Sequence, residues 1–211
     1  MKPAPALAGI VVLWFLFSLS TVLLGVFSGD GLQPALLVVA SVLLPLVIFC
    51  FAYATAVPFR RYILSLPLRW LILAQTVRVI GGVFVVYFFM GLLPGLFAFP
   101  AGLGDVTIGL TAPLVALILL SRNPFPKFWV VTWNILGVLD LVTAVTLGIL
   151  TSQSPLGLFA SKIGIQPLLS FPLGLIPAFG VPLTLLLHVI VVILVQTKEG
   201  TCPPNAFQIT G

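Results

Sequence analysis

The feature that most restricts this chain is a succession of apolar stretches, each near the length of a membrane span and each closed by turn residues or charge. A helix of about 20 residues, rising about 1.5 Å per residue, crosses a hydrocarbon core about 30 Å thick. In lipid every backbone amide must be satisfied within the protein, so only helices or a closed barrel can cross. The runs here are continuous and lack the alternation of a barrel strand, which leaves helices.

Reading the breakers gives helix 1 over 6–28, helix 2 over 34–57, helix 3 over 70–93, helix 4 over 102–121, helix 5 over 127–150 and helix 6 over 180–197. The expected fold is therefore an all-α integral membrane domain of six transmembrane helices over residues 1–200, followed by a flexible cytoplasmic tail over 201–211. The composition, 61% hydrophobic and 6% charged, agrees with this and excludes a soluble domain, where about 25% charge is usual. Behind Lys2, the apolar stretch from Ala6 to Phe27 outruns the core of a cleavable signal, so it reads as a retained first helix.

Loop charge sets the orientation, because cytoplasmic loops keep Lys and Arg. With six spans, Lys2, Arg60, Arg61, Arg69, Arg122, Lys127 and Lys198 fall on one side, Lys162 on the other, and Arg78 inside helix 3. Both termini are predicted cytoplasmic. The same segregation accounts for the net charge of +5 without a nucleic-acid partner. Cys50 and Cys202 form no disulfide framework and have no metal-ligand spacing.

Two connections on the outer side are unusual. The uncharged stretch Leu92–Gly102 is expected to stay in the interface or fold back on the bundle. The stretch Thr151–Phe179 is rich in Pro and Gly, and a short interfacial helix around Leu156–Ile165, with Lys162 snorkelling, is predicted there. Pro182 suits the first turn of helix 6.

Chemistry must reside in the polar groups that the hydrocarbon would otherwise reject: Arg78, Asp105, Asp140 and His188. Counting along the spans puts Asp140 and His188 near the midplane, Arg78 about 5 Å to the cytoplasmic side and Asp105 about 9 Å to the outer side. Arg78 with Asp140 is then the first-choice ion pair, and Asp105 competes only if helix 3 tilts or helix 4 starts deeper. Two carboxylates facing one guanidinium leave an acid that can carry a proton. His188, with Thr184 one turn before it, could pass that proton on, pack as a hydrogen-bonded core residue, or ligate a haem or pigment. Gln75 and Asn134 extend the polar track towards the cytoplasm as helix-to-helix contacts, and Trp133 is placed to pack on the Arg. Gly81, Gly82, Gly102, Gly104 and Gly109 allow close approach, favouring a core of helices 3–6 with helices 1 and 2 outside. Gly102–Asp105 and Gly137–Asp140 form a weak internal echo.

At Phe97–Asp105, at Trp133–Asn134 with Gly137 and Asp140, and from Ile176–Pro177 through Val181–Leu183 to His188, the chain resembles uncharacterised bacterial multi-pass inner-membrane proteins. That resemblance spans roughly residues 75–195 and implies a bacterial inner-membrane location and no activity.

Nucleophile elbows, HExxH, paired histidines and P-loops are absent, so no metal site is expected and an enzyme would have to use Asp105 or Asp140 as acid or base. The leading expectation is a small-molecule or proton-coupled transporter, or a ligand-binding membrane protein, with Arg78, Asp105, Asp140 and His188 as its site. The alternative is a non-catalytic subunit or assembly factor of a larger membrane complex, with the bilayer, a second copy or the complex as partner.

Overall fold

The computed structural model describes residues 3–29, 31–121 and 125–199, the side chains of 3–6, 198 and 199 excepted. Lys2, Arg122, the Lys198 side chain and the tail with Cys202 lie outside the described residues. Helices dominate: α1 (Pro3–Leu23), α2 (Gln33–Thr55), α3 (Val57–Leu64), α4 (Leu68–Ala74), α5 (Val83–Phe89), α6 (Gly95–Ile118), α7 (Pro126–Leu150) and α8 (Val181–Glu199), with no strand among the described residues. Five spans are long and apolar enough to cross a membrane: Gln33–Thr55, Leu68–Phe89, Gly95–Ile118, Pro126–Leu150 and Ile176–Thr197. A further apolar helix covers Leu7–Leu23. The chain is a helical membrane protein.

The third span is not uniform. Between α4 and α5 the backbone winds as a 3-10 helix over Gln75–Gly82. With about three residues per turn, side chains at i and i+3 stand directly above one another. Ile72, Gln75, Arg78, Gly81 and Phe84 accordingly form one buried row, while Thr76, Val77, Val79 and Ile80 face outward. The amide and the guanidinium are thus stacked on the inner face of the span.

That row packs against α6, whose own inner face is built from small residues. Ala98, Ala101, Gly102, Gly109, Ala112 and Ala116 are buried along it, at helical spacing. A Cβ on Gly109 would stand 2.7 Å from the Val79 backbone nitrogen, and one on Gly102 would stand 2.8 Å from Val85 Cγ2 and 3.2 Å from the Gly81 carbonyl oxygen. Backbones meet here at a distance that no other residue permits.

Helix α6 begins seven residues before the expected position 102, and the reason is local. Pro94 is extended and closes the preceding turn, and Gly95–Gly102, expected from sequence to belong to an interfacial connection, form its first two turns. The stretch Leu92–Gly102 is therefore mostly span, not interfacial loop. Asp105 consequently lies eleven residues into its helix, near the middle, and not towards one face.

The predicted helix over Leu156–Ile165 does not form. Ser152 and Ser154 hydroxyls instead accept from the amides of Ser154 and Leu156, at 3.3 Å each, and hold the segment in turns. A single 3-10 turn follows at Gln166–Leu169. The last span then starts at Ile176 with a wide π turn, Ile176–Gly180, which leads into α8 with Pro182 in its first turn. Carbonyls of this turn accept hydroxyls from the first two helices: Ser18 Oγ donates to Ala178 O at 3.3 Å and Ser41 Oγ to Pro177 O at 3.1 Å. Ser20 and Thr21 bond back to their own helix, as expected for hydroxyls in lipid. Sequence reasoning sets α2 outside the core; it packs on α8 and on the π turn and is the least buried of the five candidate spans.

A short helix, α3, fills the connection that was expected to be a plain basic loop. Its Ile63 is buried while Arg60 and Arg61 are exposed, so it lies amphipathically at one end of the bundle. Arg69 is exposed at the same end, 5.9 Å over the Trp70 ring.

Candidate functional site

Arg78 is the centre of the site. It projects from the 3-10 row, with a side chain only 2% exposed, and its donors reach four partners on three other helices. Nε donates to Asp105 Oδ1 on α6 at 2.7 Å, and Nη2 donates to Asp140 Oδ2 on α7. Nη1 donates to the Gly137 carbonyl at 3.1 Å and meets His188 Nε2 on α8 at 3.2 Å. A buried charge demands this many partners, because an unsatisfied ion in hydrocarbon costs several kcal/mol.

Both candidate carboxylates therefore pair with the one guanidinium. The earlier start of α6 sets Asp105 further into its helix and level with Arg78, which removes the reason for preferring Asp140 alone. The planar fork makes the sharing possible, since its N–H groups point in separate, fixed directions.

Arginine has no acceptor, so the imidazole nitrogen facing Nη1 must present a lone pair. The His188 proton then sits on Nδ1, which donates to Asn134 Oδ1 at 2.8 Å. Trp133 packs on this ring, centroids 5.5 Å apart, and its Nε1 donates to Thr111 Oγ1 at 2.9 Å. The expected Trp133 contact with the Arg is thus made with the histidine. His188 is fully buried and both ring nitrogens are engaged, so neither is open to a haem or pigment in this arrangement. Among the described residues His188 bonds to no carboxylate; the guanidinium stands between.

One turn away along the row, Gln75 Nε2 donates to the Thr184 carbonyl at 3.0 Å, tying the third span to α8. Its Oε1 is buried without a donor among the described residues. Thr184 takes no part through its hydroxyl, which bonds back to Gly180 O at 2.9 Å. Among the described residues no group of three His, Cys, Asp or Glu is arranged to hold a metal ion.

Glycines cradle the cluster. A Cβ on Gly81 would collide with the Asp105 carboxylate, one on Gly104 with Asp140, and one on Gly137 with the His188 ring. The two halves of the sequence echo are not equivalent, since Gly102 admits Val85 whereas Gly137 admits the imidazole. Two contacts on Arg78 were not anticipated from sequence: His188 Nε2, which was expected to relay a proton from an acid, and the Gly137 carbonyl, since backbone acceptors leave no mark in side-chain pattern.

On one side of the cluster lies a cavity of about 110 Å³. Its walls are largely apolar, including Phe84, Phe97, Leu141, Ala144, Val145 and Val181. Among the described residues Asp105 is the only ionisable one that lines it. Towards the loop end of the bundle its rim carries Ser152, Gln153, Ser154 and Gln166, and Gly29 and Gly31 close it from the first loop. This end is opposite the one that carries Arg60, Arg61 and Arg69.

These features define a helical membrane protein with a buried charge cluster beside an apolar cavity. The chain belongs to the family described as a domain of unknown function, DUF8737, whose model matches residues 34–196. The matched region holds every residue of the cluster and of the cavity wall from α2 to α8. No curated protein and no solved structure matches the chain.

Proposed function

We propose that this protein is a small-molecule carrier of the bacterial inner membrane, with both termini cytoplasmic, that exchanges a proton at the Arg78 cluster. The observation that carries this reading is the sharing of one guanidinium by two carboxylates, Asp105 and Asp140, from two different helices. One Arg balances one carboxylate. In the low dielectric of the membrane the remaining negative charge calls for another positive one, either a proton or a charge on a ligand. Two occupants that compete for one charge position are coupled, and that competition is the elementary requirement of exchange transport.

The test is the charge movement that follows a pH jump on proteoliposomes adsorbed to a solid-supported membrane. The unaltered protein is expected to give a transient current as protons enter or leave the cluster, and Asp140→Asn to abolish it while keeping the thermal unfolding midpoint within a few degrees. A current no larger than that of empty liposomes would sink the reading. Collapse of the fold in both Asp140→Asn and Arg78→Ala would make the cluster a structural ion pair instead.

A second reading, a non-catalytic subunit or assembly factor of a larger membrane complex, is favoured by one feature. The loop after α7 exposes Leu156, Leu158, Phe159, Ile163 and Phe171. A native mass of gently extracted protein tests it, with added partner mass as its expected sign.

A further inference from the structure

The carrier reading leaves the ligand undefined, and the cavity narrows it. A recognition site selects by what its walls can satisfy: apolar surface takes an apolar body, and each buried polar group asks for a complementary partner. Among the described residues the walls offer aromatic and aliphatic carbon, a polar but uncharged rim, and a single carboxylate at Asp105. Among the described residues no Lys, Arg or His lines the cavity, because Arg78 and His188 are held behind the carboxylate by their own partners. An anionic head would meet Asp105 with no cation free to receive it.

The Asp105 carboxylate is only partly used. Oδ1 accepts from Arg78 Nε, while a carboxylate has about four lone-pair sites in total. Oδ2 sits in the space that Gly81 leaves by having no side chain. The carboxylate is thus anchored from behind, and Asp105 forms part of the cavity wall.

The geometry points to a small monocationic amphiphile, a protonated amine on a short apolar body, as the ligand of this cavity, with its ammonium on Asp105 and its body among Phe84, Phe97, Leu141 and Val145. A cavity of about 110 Å³ admits one such body and not a two-chain lipid. The inference rests on the carrier reading for its purpose but not for its chemistry: the amine supplies the positive charge that the shared guanidinium lacks, and binds where a proton otherwise would.

Three probes with one body separate the possibilities on the unaltered protein. Equilibrium binding of radiolabelled n-hexylammonium is measured on protein purified in detergent, with n-hexanol and n-hexanoate as competitors. Saturable amine binding, at least tenfold tighter than either competitor, is expected. Asp105→Asn should weaken the amine tenfold or more, and Ala144→Phe, which fills the cavity wall one turn beyond Asp140, should remove binding while the protein still unfolds cooperatively. Equal affinity for the alcohol, tighter binding of the carboxylate, or no saturable binding by folded protein would each overturn the assignment. The probe comparison is made on the unaltered protein and decides the assignment without any variant. Amine binding without a pH-jump current would leave this site standing and remove the carrier reading; the reverse result would do the opposite.

Discussion

Nη1 of Arg78 meets Nε2 of His188 at 3.2 Å, and since the guanidinium can only donate, the histidine serves as an acceptor that helps to aim the arginine. The imidazole is held from its other side by Asn134, so one hydrogen-bonded chain runs from α7 through α8 to the third span.

A direct consequence concerns the tautomer. Nitrogen NMR of histidine-labelled protein at neutral pH should show the single His188 ring with its proton on Nδ1 and a bare Nε2, and Asn134→Leu should disturb that pattern. A proton found on Nε2 would contradict the contact. His188→Phe, which keeps the ring packing on Trp133 but leaves Arg78 and Asn134 each short of a partner, should cost about 2–4 kcal/mol of stability.

The charges should prove interdependent. Arg78→Leu strands two carboxylates in the bundle and should destabilise the protein by about 3–5 kcal/mol, whereas the triple variant Arg78→Leu, Asp105→Asn, Asp140→Asn should recover at least half of that loss. Denaturant titration in mixed micelles provides the comparison. Independent, additive losses would mean that the three side chains are not one unit. Arg78→Lys should not rescue, because a point charge cannot address Asp105, Asp140, Gly137 and His188 in their separate directions.

Glycine substitutions should rank by what lies opposite. Gly109→Ala meets the Val79 backbone at 2.7 Å, where nothing flexible can yield, and should cost about 1–3 kcal/mol. Gly148→Ala meets only Phe97 carbons at 3.6 and 3.8 Å and should be neutral within about 0.5 kcal/mol. Thermal midpoints measured side by side test the order, and a neutral Gly109→Ala would refute the close packing of α6 on the 3-10 segment.

Orientation is open to labelling. In a background of Cys50→Ser and Cys202→Ser, Lys162→Cys should react with a membrane-impermeant thiol reagent on intact cells, and Arg61→Cys only after permeabilisation. Both side chains are exposed, so access and not burial decides the result. The opposite pattern would invert the topology.

The four ionisable residues inside the spans were legible because hydrocarbon makes each of them conspicuous: Arg78, Asp105, Asp140 and His188 interrupt stretches that are otherwise uncharged away from their ends. Their partners were less so. Whether Asp105 could reach Arg78 depended on where α6 begins, and Pro94, Gly95 and Pro100 read equally well as a loop or as a helix start. Proline is tolerated at a helix start, where the missing amide has no partner to lose, and the sequence alone does not say which use a given one serves. The 3-10 winding did leave a trace. Gln75, Arg78 and Gly81 recur at intervals of three, a period that an α-helix would turn progressively away from the core. The turns over 152–165 escaped detection for a different reason: their hydrogen bonds come from Ser152 and Ser154, whereas the apolar residues beside them suggested an amphipathic helix.

The winding of Gln75–Gly82 also sets the kind of motion by which the cluster could come apart. Eight residues rise about 16 Å as a 3-10 helix and about 12 Å as an α-helix, and each interval of three differs by about 60° of rotation between the two forms. Rewinding the segment would therefore act as a screw: it would draw the two ends of the span about 4 Å closer and swing Arg78 out of line with Gly81. The guanidinium would leave both carboxylates in one movement, without a bend in any helix and without a hinge.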